Sequence, residues 1–224
     1  MKYSLFLYAF CMHSYANTFA NYTKVCIEID GSAEINIKQA NIKTHELETT
    51  AVTGTFEQEI SQKDGVLYLK YKKTGPKLGM LLNLTVPRNV EDISVSANKS
   101  KMVVASYSGA LKIKIYKMEL TVESMLKSLD VQAEGMRAKL MNVVYPATIA
   151  SKKLALDAVV TKAAAVSVVS NMCDCSFTLP KDAKVKWSKG FLVSCTSDYE
   201  NSQDADIVVN VDARLGKLKL EKAK

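Results

Sequence analysis

The sequence predicts an all-β protein: a single-stranded β-solenoid with turns of roughly 18 residues and two short strands per turn. Three observations carry this. First, residues 93–176 repeat with a fixed period: Ile93, Leu111, Leu129, Ala147 and Ala165 share one register, and Ser100, Met118, Met136, Leu154 and Met172 share another. A fixed period of this size marks a stacked repeat whose turns bury a continuous core only by packing on one another. Second, apolar residues alternate within each repeat, as in Leu111, Ile113 and Ile115 and then Met118, Leu120 and Val122; period-two alternation specifies strands with one buried face. Third, the two alternating blocks are separated only by steps such as Asn98-Lys99, Tyr116-Lys117, Glu134-Gly135 and Lys152-Lys153. These leave room for corners but not for helices. Ala163-Ala164-Ala165 favours a helix by propensity, yet it falls in register with the repeat, so tertiary context should override it.

Taken in order, residues 1–20 read as a signal peptide. Lys2 opens the segment, Leu5 to Met12 forms a short apolar run, and Ser14-Tyr15-Ala16 and Thr18-Phe19-Ala20 are both small-x-Ala cleavage sites. The run is far below the roughly 18 apolar residues of a membrane-spanning helix. Phe10 before Cys11 lacks the small side chain of a lipid-attachment site. Residues 21–224 are then one β-solenoid domain: a less regular part over 21–92, regular repeats over 93–176, and closing turns with a tail over 177–224. In the first part Val25, Ile27 and Ile29 form one strand and Ala33, Ile35 and Ile37 another, with Asp30-Gly31 as the tight turn between them. Residues 39–62 carry few strong apolar points and imply shorter, more exposed strands. Leu67, Leu69 and Tyr71 follow the turn Lys63-Asp64-Gly65, and Leu82, Leu84 and Val86 lead to Pro87, which ends the ladder.

Beyond Val160 the apolar positions slip by one, to Val166 and Val168 and then Cys173, Cys175, Phe177 and Leu179. A bulge or longer corner accounts for the slip and turns Asp174 outward. Val185 and Trp187, then Phe191, Val193 and Cys195, continue the stack. Residues 197–206 form a polar surface loop, and Ile207, Val209, Val211, Leu215, Leu218 and Leu220 supply the closing strands. Trp187 and Phe191 fit a plug at the end of the core, with a ligand platform as the alternative.

Removing residues 1–20 lowers the formal charge from +7 to +6 and leaves four cysteines, Cys26, Cys173, Cys175 and Cys195. An even count in an exported chain permits two disulfides. Cys175 and Cys195 lie about one turn apart, and adjacent strands are about 4.8 Å apart, near the Cα separation of a disulfide. That pairing leaves Cys26 with Cys173 as the second bridge. Cys173-Asp174-Cys175 does not carry the spacing of a structural zinc site. The positive excess suits anionic partners: envelope or surface glycans or lipids, besides other envelope proteins. Lys112, Lys114, Lys117, Lys139, Lys152 and Lys153 mostly alternate with inward positions and solvate the outer face. Nucleic acid is not expected, because basic residues are not interleaved with aromatic ones and no zinc or helix-turn-helix pattern is present. Three sequons, at Asn21, Asn83 and Asn98, matter only in a eukaryotic secretory host.

Catalytic signatures are missing from the residues themselves. His45 is the only histidine after residue 20, no Gly-x-Ser-x-Gly elbow occurs, and no phosphate-binding glycine motif occurs. Before the slip beyond Val160, the acids of the regular repeats are Glu119, Glu123, Asp130, Glu134 and Asp157. A carbohydrate-active β-helix enzyme, a polysaccharide lyase or hydrolase, is the alternative to a non-catalytic protein. It would need two of these acids facing each other across adjacent turns.

The exported start, the strand-rich first third, Leu84-Thr85-Val86-Pro87 and 18-residue strand repeats with the step Ser108-Gly109-Ala110-Leu111 resemble a bacterial family of candidate adhesins with head-GIN or toast-rack type β-solenoid domains. The resemblance covers most of residues 25–222. It lacks most of the Gly-Ser-Gly-Asp corners of that family, where this chain places Lys and Met. It implies an exported cell-envelope or surface protein, periplasmic, cell-surface or extracellular, serving as adhesin or scaffold without catalysis, and it assigns no functional residue and no cofactor.

Overall fold

A computed structural model describes residues 21–224; the expected signal peptide lies outside the described residues. Among them there are 13 strands and no helix, and all the strands belong to one sheet. In chain order they are β1 (Lys24–Ala40), β2 (Glu46–Thr53), β3 (Phe56–Lys63), β4 (Val66–Lys73), β5 (Gly79–Pro87), β6 (Asp92–Ser106) and β7 (Ala110–Val122). They continue with β8 (Ser128–Val143), β9 (Ala147–Val160), β10 (Ala164–Leu179), β11 (Val185–Lys189), β12 (Leu192–Ser197) and β13 (Ile207–Lys222).

The centre follows the sequence period. β6, β7, β8 and β9 pair in parallel with Ile93 opposite Leu111, Leu111 opposite Leu129 and Leu129 opposite Ala147. β10 enters one residue later, with Val166 opposite Ala147 and Cys175 opposite Leu156, which leaves Asp174 exposed. Residues 161–163, between β9 and β10, accommodate the extra residue. The two short strands expected in each repeat are joined into one long strand. At the bend between its halves the ladder steps over a single residue, successively Asn98, Tyr116, Glu134, Lys152 and Asn171. Such a step keeps alternate side chains inward on both sides of the bend. Ile93, Val95, Met102 and Val104 on one strand, and their equivalents on the next, therefore enter one hydrophobic cluster. Like packs on like along the stack, as in Val95, Ile113, Val131, Ile149 and Val168, all buried. Burial of each large side chain contributes about 1.5–3 kcal/mol.

The first strand departs from the expected hairpin. β1 runs unbroken through Asp30-Gly31, and these two residues oppose one residue of β6 as a bulge. Gly31 is there for close approach: a Cβ at this position would lie 2.7 Å from Cβ of Leu78, and the amide of Ser32 donates to the Leu78 carbonyl at 2.9 Å. A hairpin turn would break that contact and the parallel ladder that both halves of β1 form with β6. Where a two-residue turn does occur, at Asp64-Gly65, both residues have positive φ and join β3 to β4 as an antiparallel hairpin.

The ends break chain order. β1 lies between β6 on one side and β4 with β5 on the other, β4 pairing with its first half and β5 with its second. β3 and β2 then cover β4 and β5 in antiparallel fashion. The far end repeats the device: β13, last in sequence, inserts between β10 and the pair β11 and β12. The first strand, β1, thus lies two layers in from one edge, and the last, β13, one layer in from the other.

Candidate binding groove

Beside the bend, a groove of about 1080 Å³ runs along the stack from β2 and β5 to β13. The residue order of each rung makes it. Just after the bend, each strand places one outward residue, then one inward residue, then another outward residue. The inward residues form the floor: Met80, Ala33, Ser100, Met118, Met136, Leu154 and Cys173. From Ala33 to Cys173 they are 5–7% exposed, against 0–3% for the next inward column of Met102, Leu120, Ala138, Leu156 and Cys175. The floor is therefore slightly more open to solvent than the inward column next to it. Ser100 is buried, and its hydroxyl has no hydrogen-bond partner.

One lip changes character along its length. In register it reads Lys99, Lys117, Gly135 and Lys153, then Met172 and Leu215. The three lysines are exposed, and none lies within ion-pair distance of a carboxylate among the described residues. Met172 and Leu215 are each about half exposed, at 49% and 52%. The opposite lip is mixed: Lys101, which pairs with Glu34 at 3.6 Å, is followed in register by Glu119 and Arg137. A charge ladder of that kind largely satisfies itself across strands. Directly adjacent Lys99 and Lys117 do the opposite and repel.

The four cysteines do not form the expected bridges; all are free thiols. The inserted strand is the reason for the first correction. Cys175 and Cys195 both align with Leu218, one on each side of β13, which puts two strand spacings, about 9.6 Å, between them. That exceeds the Cα reach of a disulfide. For the second, Cys26 on β1 and Cys173 on β10 are separated by β6, β7, β8 and β9. Cys173 and Cys175 instead influence each other: their side-chain interaction holds the Cys173 thiol below its ordinary range and, with burial, pushes Cys175 up, while the Cys173 thiol donates to the Lys217 carbonyl at 3.9 Å. Gly216 makes room for the pair. Its φ is +154°, and a side chain there would collide with the Cys173 carbonyl.

Phe191 is not a plug. It occupies the bend position between β11 and β12, where side chains point outward, and is 95% exposed. Trp187 is partly buried against the core. Phe191, Val169 and Leu192 line a second concavity with Arg214 on the other side of the bend.

The acids considered for catalysis are dispersed. Asp130 aligns with Lys112, Asp157 with Lys139, Glu119 with Lys101 and Arg137, and Glu134 binds the Lys152 ammonium. That contact raises the Lys152 pKa. No two of these acids are register partners. His45 is buried edge-on to Tyr22 at 5.8 Å, and burial lowers its pKa. Among the described residues no three His, Cys, Asp or Glu side chains are grouped so as to hold a metal ion. No helix among them is long and apolar enough to cross a membrane.

No protein-family model matches the chain, and no curated protein matches it. Solved structures do. A candidate cell adhesion protein from Clostridium sporogenes is 13% identical, with 95% of this chain and 98% of that one covered and a TM-score of 0.42. A candidate adhesin from Parabacteroides merdae is also 13% identical, over 95% and 96%, at 0.37. A candidate lipid binding protein from Parabacteroides distasonis is 12% identical, over 89% and 93%, at 0.30.

Proposed function

We propose that this chain is an exported, non-catalytic cell-envelope or surface protein, an adhesin or scaffold whose β-solenoid serves as a rigid binding surface. The observation that carries this reading is the groove beside the bend. A rigid parallel stack holds three lysines without a carboxylate partner among the described residues in line with exposed apolar side chains above a methionine-rich floor. Methionine suits a surface that accommodates ligands of varied shape, because its side chain is flexible and polarizable. Solenoids use such lengthwise surfaces for recognition. Export rests on residues 1–20, whose short apolar run and small-x-Ala sites have the form of a signal peptide. The solenoid reading rests on the 18-residue register shared by β6 to β9. The head-GIN or toast-rack type of domain is the family this arrangement suits. Partners on this reading are anionic components of the envelope or surface, glycans or lipids, or other envelope proteins.

Two measurements test it. Cell fractionation should recover a chain shortened after Ala16 or Ala20 outside the cytoplasm. The shortened chain should bind a panel of envelope lipids and glycans in pull-down. Retention of residues 1–20 on a cytoplasmic chain would overturn export, and failure to bind any envelope or surface component would overturn the adhesin role.

A further inference from the structure

The geometry points to a specific occupant of the groove: a free long-chain fatty acid, its carboxylate between Lys99 and Lys117 and its chain lying along the floor toward Leu215. This deepens the envelope-binding reading and rests on it for the choice of ligand source. The head is placed by charge. Lys99 and Lys117 are neighbours on adjacent strands with no carboxylate within ion-pair distance among the described residues. A single anion seated between them relieves their repulsion. Ser100 lies on the floor beside Lys99, and its unpartnered hydroxyl can donate to the same anion after a rotation about χ1.

The tail is placed by the change of character along the lip. Beyond the head the floor continues as Met136, Leu154 and Cys173. Gly135 lowers the lip at the third rung: a Cβ there would meet nothing nearer than Cγ of Lys117 at 3.8 Å. Lys153 stands at the next rung, where its aliphatic stem can flank a chain while the ammonium stays in water. Met172 and Leu215 then replace lysine at the position nearest the tail's end. From β6 to β10 the groove extends about 19 Å at the strand spacing, and one further strand to β13 makes about 24 Å. A polyanionic glycan would be matched by lysines throughout, and would leave the apolar half of the lip without a counterpart.

Palmitate binding to the full chain, followed by displacement of fluorescent cis-parinaric acid, tests this. Saturable binding at one site is expected, with methyl palmitate about tenfold weaker because it lacks the charge. The pair Lys99→Glu and Lys117→Glu should weaken palmitate about tenfold, whereas Lys112→Glu with Lys114→Glu, the same charge change on another face, should leave it unaltered. Met172→Asp with Leu215→Asp should also weaken it about tenfold. Should either pair fail to fold, Gly135→Leu, which has open space around it, blocks the groove midway and should reduce affinity at least fivefold. The inference is overturned by an absence of saturable displacement, by equal binding of methyl palmitate, or by equal losses from the groove and control pairs. It is equally overturned if oligogalacturonate competes as well as palmitate. Binding of envelope glycans without palmitate binding would sink the fatty acid and leave the surface-binding reading standing.

Discussion

The middle of this molecule and its two ends use the same strand chemistry under different rules. From β6 to β10 each strand pairs with the one next in sequence, and a residue's neighbour in the stack is 18 or 19 positions away. At the ends, β1 is slotted two layers and β13 one layer inside the edge, and the layers outside them come from chain segments threaded around them. The difference addresses a problem that a simple stack cannot solve. A stack that merely stops leaves its last ladder unpaired and open to other strands. Here β3 and β2 cover one end as antiparallel strands. At the other end, the side chain of Asn201 takes the place of a neighbouring strand: its Oδ1 accepts from the Trp187 amide and its Nδ2 donates to the Trp187 carbonyl, both at 3.0 Å. Lys189 adds a bond from its ammonium to the Val193 carbonyl at 2.7 Å.

The largest expected effect lies in the middle. Phe177→Ala, in a column buried from β6 through β13, should lower unfolding free energy by about 3–5 kcal/mol in chemical denaturation; a loss below about 1 kcal/mol would show that the stack does not hold its core together at this rung. At the C-terminal end, Asn201→Ala removes two hydrogen bonds from an edge strand and should cost about 1–2 kcal/mol. It should also promote concentration-dependent association, read by light scattering, because β11 loses its cover. No change in either would mean that Asn201 does not protect the edge.

At the opposite end, His45 makes stability depend on pH. Burial lowers its pKa below 6.5 in the folded chain, so the unfolded chain binds the proton more readily. Stability is therefore full above about 6.5 and declines as pH falls from there toward the lowered value. His45→Gln should flatten this slope in thermal melts taken from pH 7.5 to 5.5, and an unchanged slope would assign it to other groups. Tyr22, beside it, is raised to about 12 by burial. It contributes stability that is full below pH 10 and lost as pH rises from 10 toward 12.

The smallest effect concerns the thiols. With β13 between Cys175 and Cys195, reductant should leave the melting temperature unaltered, and thiol titration of the unfolded chain should find all four of Cys26, Cys173, Cys175 and Cys195 free. A melting temperature that drops on reduction would mean that β13 is not where the structure places it.

Much of the groove was present in the sequence, though not as a groove. Ser100, Met118, Met136 and Leu154 recur at the period and are legible as an inward column. Lys99, Lys117, Gly135 and Lys153 recur one residue earlier, and read by alternation alone they are ordinary outer-face residues. What turns them into a lip is the bend beside them, and alternation carries no information about the angle between two strand halves. Leu215 was not legible as a member of the same lip, because its place depends on the pairing of β13 with β10 beside Met172. The Asp30-Gly31 turn failed for a similar reason. The dipeptide favours a tight turn locally, but the ladder with β6 and the packing of Leu78 over Gly31 outweigh that preference.

By itself the sequence determined the all-β class, the period of the central strands, which side chains point inward, and the one-residue slip that sends Cys173 and Cys175 into the core. These follow from short-range periodicity, since a strand alternates every two residues and stacked equivalents must be similarly apolar. Only the tertiary structure decided which strands close the stack, and with them the fate of the cysteines and the apolar end of the groove. The physical reason is that parallel pairing of β13 against β10 and β11 satisfies the same backbone hydrogen bonds as pairing β10 directly with β11 would. The choice between them rests on how the ends are covered, and no local pattern of residues records it.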